Sequence, residues 1–167
     1  EYEQIKDVSK AIALYEKVSL RHPEHHWAKE AIIAIASIYE TGHGVPQDLA
    51  KALEYWKKST EFQDSESDTW ERYRKVGDAY REGKGTKKDV CESIKWYEKV
   101  YERAANSDEN WNAMSICAEV ALLYEEGDGV GKNMGKALEW YGKAIEHGDT
   151  YSAFHVGYMF ANGQGVK

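Results

Sequence analysis

A short glycine signature returns four times along this 167-residue chain and constrains its fold more than any other feature. It reads Gly42-His43-Gly44, Gly83-Lys84-Gly85, Gly127-Asp128-Gly129 and Gly163-Gln164-Gly165, with first glycines 41, 44 and 36 residues apart. An aromatic residue stands three positions before each pair (Tyr39, Tyr80, Tyr124, Phe160). Val45, Val130 and Val166 follow three of the pairs, and Thr86 follows the other. A chain that repeats a unit of this length builds an array, because each unit is too small to bury its apolar face alone.

A second block follows each of the first three pairs. It reads DLAKALEYWKKS from Asp48, DVCESIKWYEKV from Asp89 and NMGKALEWYGKA from Asn133. The segment from Lys10 aligns with it, since Ala11, Ile12, Leu14, Tyr15 and Lys17 precede their counterparts by 41 residues. The chain therefore opens in the second half of one unit, carries three complete units and closes in the first half of another.

Both halves have helical spacing. Ala52, Leu53, Tyr55, Trp56 and Ser59 share one broad helical face. Ala31, Ile35, Ala36 and Tyr39 share a face of the helix before it, echoed by Val76, Gly77 and Tyr80. Small residues at Ala36, Gly77, Ala121 and Gly157 leave room for a neighbouring helix. Asp48, Asp89 and Asn133 are placed as N-caps, and Asp89 with Glu92 spells a capping box. The first glycine of each pair ends the preceding helix, since glycine takes the left-handed conformation at little cost.

Each unit is thus helix A, a glycine turn, helix B and a short connector. Helices are expected near 5–21, 27–41, 48–61, 69–82, 89–105, 110–126, 134–147 and 151–162. The expected fold is all-α, an α/α superhelical solenoid of antiparallel helix pairs without a strand. It forms one domain over 1–167: half a repeat over 1–26, repeats over 27–68, 69–108 and 109–149, and half a repeat over 150–167. The polar connector 63–68 implies no second domain. Beginning with a B helix and stopping after an A helix, the chain reads as a piece of a longer array whose end faces neighbouring repeats would cover.

This pattern resembles the Sel1-like repeat, a relative of the tetratricopeptide repeat. The third full unit carries it most fully, with Val120, Ala121, Tyr124, Gly127, Gly129, Val130, Lys136, Ala137, Trp140, Tyr141, Lys143 and Ala144. The last half-unit adds Val156, Gly157, Gly163, Gly165 and Val166, while the middle unit departs with Thr86, Ser93 and Ile94. The resemblance implies a superhelical scaffold for protein interaction, in settings from bacterial signalling to eukaryotic membrane-protein quality control. Some such proteins link the two helices of a repeat through paired cysteines. Here Cys91 falls in a B helix and Cys117 in the A helix of the next unit, which does not match. Both are expected to be buried free thiols.

Composition narrows the partners. The net charge is −7 with lysine and arginine scattered among acids, so no basic stripe offers itself to nucleic acid. No apolar run approaches the roughly 18 residues of a membrane span. Six Trp and twelve Tyr against three Phe suit half-buried helix seams and binding surfaces.

Residues that suggest chemistry have structural explanations. The G-x-G elements lack the strand and the lysine that nucleotide loops need. In His22-Pro23-Glu24-His25-His26 the proline separates the histidines and the last two point apart, which reads as connector rather than metal site. No nucleophile–base pair is recognisable. The chain is expected to be no enzyme and to hold no cofactor and no metal.

The remaining candidate is the exposed face of the A helices, which lines the concave side in superhelices of this kind. Positions nine, five and two before each first glycine give Ile33, Ser37 and Glu40, then Arg74, Asp78 and Arg81. They continue with Ala118, Leu122 and Glu125, and with Phe154, Tyr158 and Ala161. Ile33, Leu122, Phe154 and Tyr158 are apolar where a solvated face would be polar. Either curvature buries them against neighbouring helices, or the truncated end of the array alone leaves Phe154 exposed, or they anchor a ligand whose acids meet Arg74 and Arg81. The expected function is a protein or peptide scaffold. The alternative is a non-catalytic spacer or targeting segment of a larger enzyme or receptor.

Overall fold

The computed structural model describes residues 2–21, 25–62, 69–105 and 110–164. His22, Pro23 and Glu24, the connector 63–68, and Gly165 with Val166 lie outside the described residues. The helices are α1 (Tyr2–Arg21), α2 (His26–Thr41), α3 (Leu49–Ser59), α4 (Thr69–Glu82), α5 (Val90–Ala104), α6 (Asn110–Glu126), α7 (Met134–Glu146) and α8 (Thr150–Ala161). No strand occurs among the described residues. The even-numbered helices are the A helices and the odd-numbered ones the B helices. Substantial packing joins each helix to the next in sequence, as a solenoid requires.

The A–B turn is the same construction each time. Asp48, Asp89 and Asn133 cap their B helices, with side-chain oxygens accepting from the N–H groups of Lys51, Glu92 and Lys136 at 3.0, 2.9 and 3.0 Å. Their own N–H groups donate back to the carbonyls of Tyr39, Tyr80 and Tyr124 at 3.0, 2.8 and 2.8 Å. This return bond takes the donor that a capping box would use. The Glu92 carboxylate accordingly turns to Lys95 Nζ at 2.8 Å, so only the Asp89 half of the expected box forms. At the other end, α3 stops at Ser59 rather than 61. The Ser59 and Thr60 hydroxyls there donate to the Trp56 and Lys57 carbonyls at 2.6 and 2.7 Å.

Both glycines of each fully described pair are left-handed, with φ between 70° and 78°. They do different work. A Cβ at the first glycine would sit 3.1–3.3 Å from Gln47 in the first turn and from Lys132 in the third, which is tight but open to adjustment. The second glycine faces the B helix one repeat earlier, at the first residue of α3 or α5 and at the equivalent Val8 inside α1. A Cβ at Gly44 would overlap the side chain of Val8, one at Gly129 that of Val90, and one at Gly85 the backbone carbonyl of Leu49. Val8, Leu49 and Val90 are themselves 41 residues apart, so one contact recurs at each junction.

The core follows the apolar faces. One cluster centres on Ala36, Ala52, Leu53, Trp56 and Val76, and a larger one runs from Tyr73 through α5, α6 and α7 to Met159. Ile35, Val76, Tyr97, Ile116, Val120 and Tyr141 are fully buried. Burying a large apolar side chain stabilises by roughly 1.5–3 kcal/mol. Close approach is needed at Gly77, where a Cβ would lie 2.6 Å from the Tyr97 ring, but not at Gly157, which has open space. Arg72, 4% exposed, reaches the preceding repeat and donates to the Ser59 carbonyl at 2.8 Å, a cation at the C-terminal end of α3.

The abundant Tyr and Trp act through both of their ends. Tyr97 and Tyr141 donate from buried rings to the carboxylates of Asp78 and Glu125, each at 2.7 Å, tying B helix to A helix within a repeat. Burial first, and the adjacent carboxylate second, push both phenols well above the usual tyrosine pKa. Elsewhere lysines cover ring faces, with Lys99 Nζ 4.0 Å from the Trp96 centroid and Lys143 Nζ 3.9 Å from that of Trp140.

Two outcomes follow for stability. Gly127→Ala should cost about 1–2 kcal/mol from its left-handed backbone alone, and Gly85→Ala clearly more, because a backbone carbonyl blocks the new methyl; equal denaturation midpoints for the two would contradict this. The raised phenols predict alkaline sensitivity. Their stabilisation is fully present below the unfolded tyrosine pKa of about 10 and is lost as pH rises through the higher folded values. Tyr97→Phe with Tyr141→Phe should lower stability at neutral pH, by ~1.5–3 kcal/mol for each bond to a charged acceptor. It should also flatten the fall in urea midpoint above pH ~10 relative to the parent chain.

Candidate functional site

Adjacent A helices are joined side by side by one recurring polar pair. The residue two before each first glycine meets the residue eight before the next one. Glu40 meets Lys75 at 3.1 Å, Arg81 meets Glu119, and Glu125 Oε2 lies 2.9 Å from His155 Nε2. Arg74 adds a second bond to Glu119 at 3.2 Å and approaches Asp78 at 3.8 Å. The sign alternates along the array: acid to base, base to acid, acid to imidazole. Burial resists the charge on Glu125, but hydrogen bonds from Tyr141 and His155 outweigh it and hold its pKa below the usual value.

The charged members of the expected face are therefore engaged within the chain. Arg74 and Arg81 converge on Glu119, Asp78 takes the Tyr97 hydroxyl, and Glu125 takes Tyr141 and His155. Ile33 is half-buried against the cluster around Ala36 and Trp56, and Ala118 against the larger cluster. Ser37 is exposed and its carbonyl accepts from the Thr41 hydroxyl at 2.8 Å. Leu122, Phe154 and Tyr158 stay exposed, at 38%, 76% and 57%, and Ala161 is exposed beside them on α8.

Sequence reasoning passed over two aromatic residues on this face. Trp70 and Trp111, near the starts of α4 and α6, meet edge to face with centroids 6.2 Å apart, and Trp111 is 60% exposed. They form one wall of a cleft of about 330 Å³ lined also by Glu71, Arg74, Lys75, Asp78 and Ser115. The signal was present as tryptophans near A-helix starts, but connectors of unequal length take them out of alignment. A wider cleft lies between α1, α2 and α3, lined by Leu20, Ile32, Tyr55 and Phe62. Its walls run on in sequence into 22–24 and 63–68, outside the described residues.

The chemistry of acids, bases and thiols is muted. Cys117 is buried and its thiol is pushed up to about 12 by that burial, away from thiolate reactivity. Cys91 is exposed, contrary to expectation, because it occupies the second position of α5 on the outer face of the helix. Both thiols are free. His25 accepts from the Trp27 N–H at 3.4 Å, at the start of α2, and His26 stands edge-on to the Trp27 ring. Among the described residues no group of three or more His, Cys, Asp or Glu side chains is placed to hold a metal ion. Among them also, no helix is long and apolar enough to cross a membrane.

Solved structures share this architecture. A Sel1 repeat protein from Oxalobacter formigenes superposes with a TM-score of 0.61 at 27% identity, covering 100% of this chain and 64% of that one. The protein c5321, a protective antigen present in uropathogenic Escherichia coli strains displaying an SLR fold, superposes with a TM-score of 0.60. It is 27% identical, with 99% of this chain and 37% of that one covered. The chain thus spans less than two thirds of the length of either relative. No curated protein matches it significantly in sequence. The Sel1 repeat profile matches residues 2–19, 29–61, 73–108, 116–149 and 150–167, and with the repeated turn and the shared architecture this places the chain in the Sel1 repeat family.

Proposed function

We propose that this chain is a non-enzymatic scaffold that holds a peptide segment or partner domain on its A-helix face. Sel1 repeat proteins are generally protein–protein interaction scaffolds. The observation that carries the reading is where the exposed large apolar side chains lie. Helices α6 and α8 expose Trp111, Leu122, Tyr151, Phe154, Tyr158 and Phe160, and α2 exposes Trp27. Among the described residues of the B helices, α3 and α5 expose none and α7 exposes only Ile145, while α1 exposes Leu14, Tyr15 and Leu20. Contiguous exposed apolar groups mark interaction sites, and aromatic anchors supply most interface energy.

The wiring of the A helices refines this reading. Arg74, Arg81 and Glu125 are engaged with residues of neighbouring A helices, so they fix which helices face each other rather than wait for a ligand. Leu122, Phe154, Tyr158 and Trp111 are the anchors.

Photo-crosslinking groups at Leu122 and Tyr158 should capture a partner that groups at Lys57 and Lys95 on the B helices do not. Leu122→Asp or Tyr158→Asp should weaken that complex by about tenfold or more through faster dissociation, and Lys57→Ala or Lys95→Ala by less than about threefold. Loss of binding from the B-helix changes alone would place the site on the opposite face.

A further inference from the structure

The cleft between α4 and α6 has a composition that selects its occupant. Its exposed wall is the Trp111 ring, cornered against Trp70 at an interplanar angle of 73°. Elsewhere in this chain tryptophan rings carry a lysine ammonium: Lys75 over Trp56, Lys99 over Trp96 and Lys143 over Trp140. Trp111 is 60% exposed and, among the described residues, meets the Trp70 ring and carries no lysine or arginine over its own, so its face is open to a cation from outside.

The charges in the cleft point the same way. Lys75 is held by Glu40, and Arg74 by Glu119 and Asp78. Arg81 closes on Glu119 behind them. These three cations are matched by three carboxylates, Glu40, Asp78 and Glu119. Glu71 remains as a fourth carboxylate, exposed on the cleft wall in the first turn of α4. An aromatic face beside a surplus carboxylate attracts a cationic side chain, and a guanidinium suits it best because it stacks flat while donating to oxygen. The overall charge of −7 draws such a partner in from a distance.

Resting on the A-helix face as the binding face, we infer that this cleft takes an arginine side chain from a basic segment of the partner. The guanidinium stacks on Trp111 and donates to the Glu71 carboxylate, while apolar neighbours on the same segment run toward Leu122. A peptide with acids at its centre, the ligand that Arg74 and Arg81 suggested in sequence, meets cations already neutralised.

The test uses the whole chain and three blocked pentapeptides, Gly-Leu-X-Leu-Gly, with X as arginine, citrulline or glutamate. Citrulline keeps the shape of arginine and removes its charge. Binding is read from the indole N–H signal of Trp111, assigned with Trp111→Phe. The arginine peptide should shift that signal saturably and bind at least about fivefold more tightly than either of the others. Glu71→Gln should remove most of that preference while leaving the citrulline peptide unaffected, with an unchanged thermal melt showing that the variant folds. Equal binding of arginine and citrulline, preference for glutamate, or no shift at Trp111 would each overturn the inference. So would a Trp111 signal that moves with protein concentration alone, which would mark self-association. A shift of the Leu122 amide without one at Trp111 would overturn the arginine site and leave the A-helix face standing. Silence at every A-helix residue, together with signals that move on α3 or α5, would sink both.

Discussion

The contact on which this array depends is the approach of the second glycine of each turn to the B helix one repeat earlier. Gly44 on Val8, Gly85 on the Leu49 carbonyl and Gly129 on Val90 leave no room for a Cβ, and all three glycines are left-handed. The turn that reverses the chain within one unit is therefore also the surface on which the previous unit rests. Local backbone geometry and the stacking of repeats are set by the same atoms. Arg72, reaching back to the Ser59 carbonyl, repeats the principle at the other end of a B helix. A solenoid whose turns and interfaces coincide has little freedom to slide.

The polar pairs on the A helices settle a different question, namely which neighbour each helix accepts. Half-exposed pairs of this kind contribute only about 0–1 kcal/mol each, so they do not hold the array together. Their signs matter more. Glu40 of α2 faces Lys75 of α4, but it would face Glu119 if α6 took the place of α4, and Arg81 would face His155 if α8 took the place of α6. Every such exchange brings like charges together or forfeits a pair. In a chain whose repeats are similar enough to be confused, alternating sign labels each junction, and the apolar core, which would tolerate exchange, supplies the stability.

Much of this was legible beforehand, for identifiable reasons. Helix positions followed from period and caps, since Asp48, Asp89, Asn133 and the first glycines act through bonds a few residues apart. The second glycine was harder, because its partner lies about 40 residues away and only the structure joins Gly85 to Leu49. The expected capping box at Asp89 half failed for a related reason: the Tyr80 carbonyl, nine residues back, claims the N–H that Glu92 would have taken. Cys91 was read as buried from its residue type, yet its place on α5 turns it outward. On the A face, Leu122, Phe154 and Tyr158 were found by offset from the glycines and stand exposed. The ion pairs of Arg74 and Arg81 were not, since nothing local reveals that Glu119 lies between them.

The same pairs border the opening between α4 and α6. They join the C-terminal end of each A helix to the middle of the next, as Arg81 to Glu119. The cleft walled by Trp70, Glu71 and Trp111 opens toward the starts of α4 and α6, with Arg74, Lys75 and Asp78 of the polar network along its other side. Glu71 and Trp111 stand exposed in it, a carboxylate and an indole beside that network. The A face thus carries two sets of side chains: the polar pairs that join neighbouring helices, and exposed apolar groups, Trp111, Leu122, Phe154 and Tyr158, set among and before them. Leu122, Phe154 and Tyr158 enter none of those pairs, so substitution there leaves the charges at each junction in place.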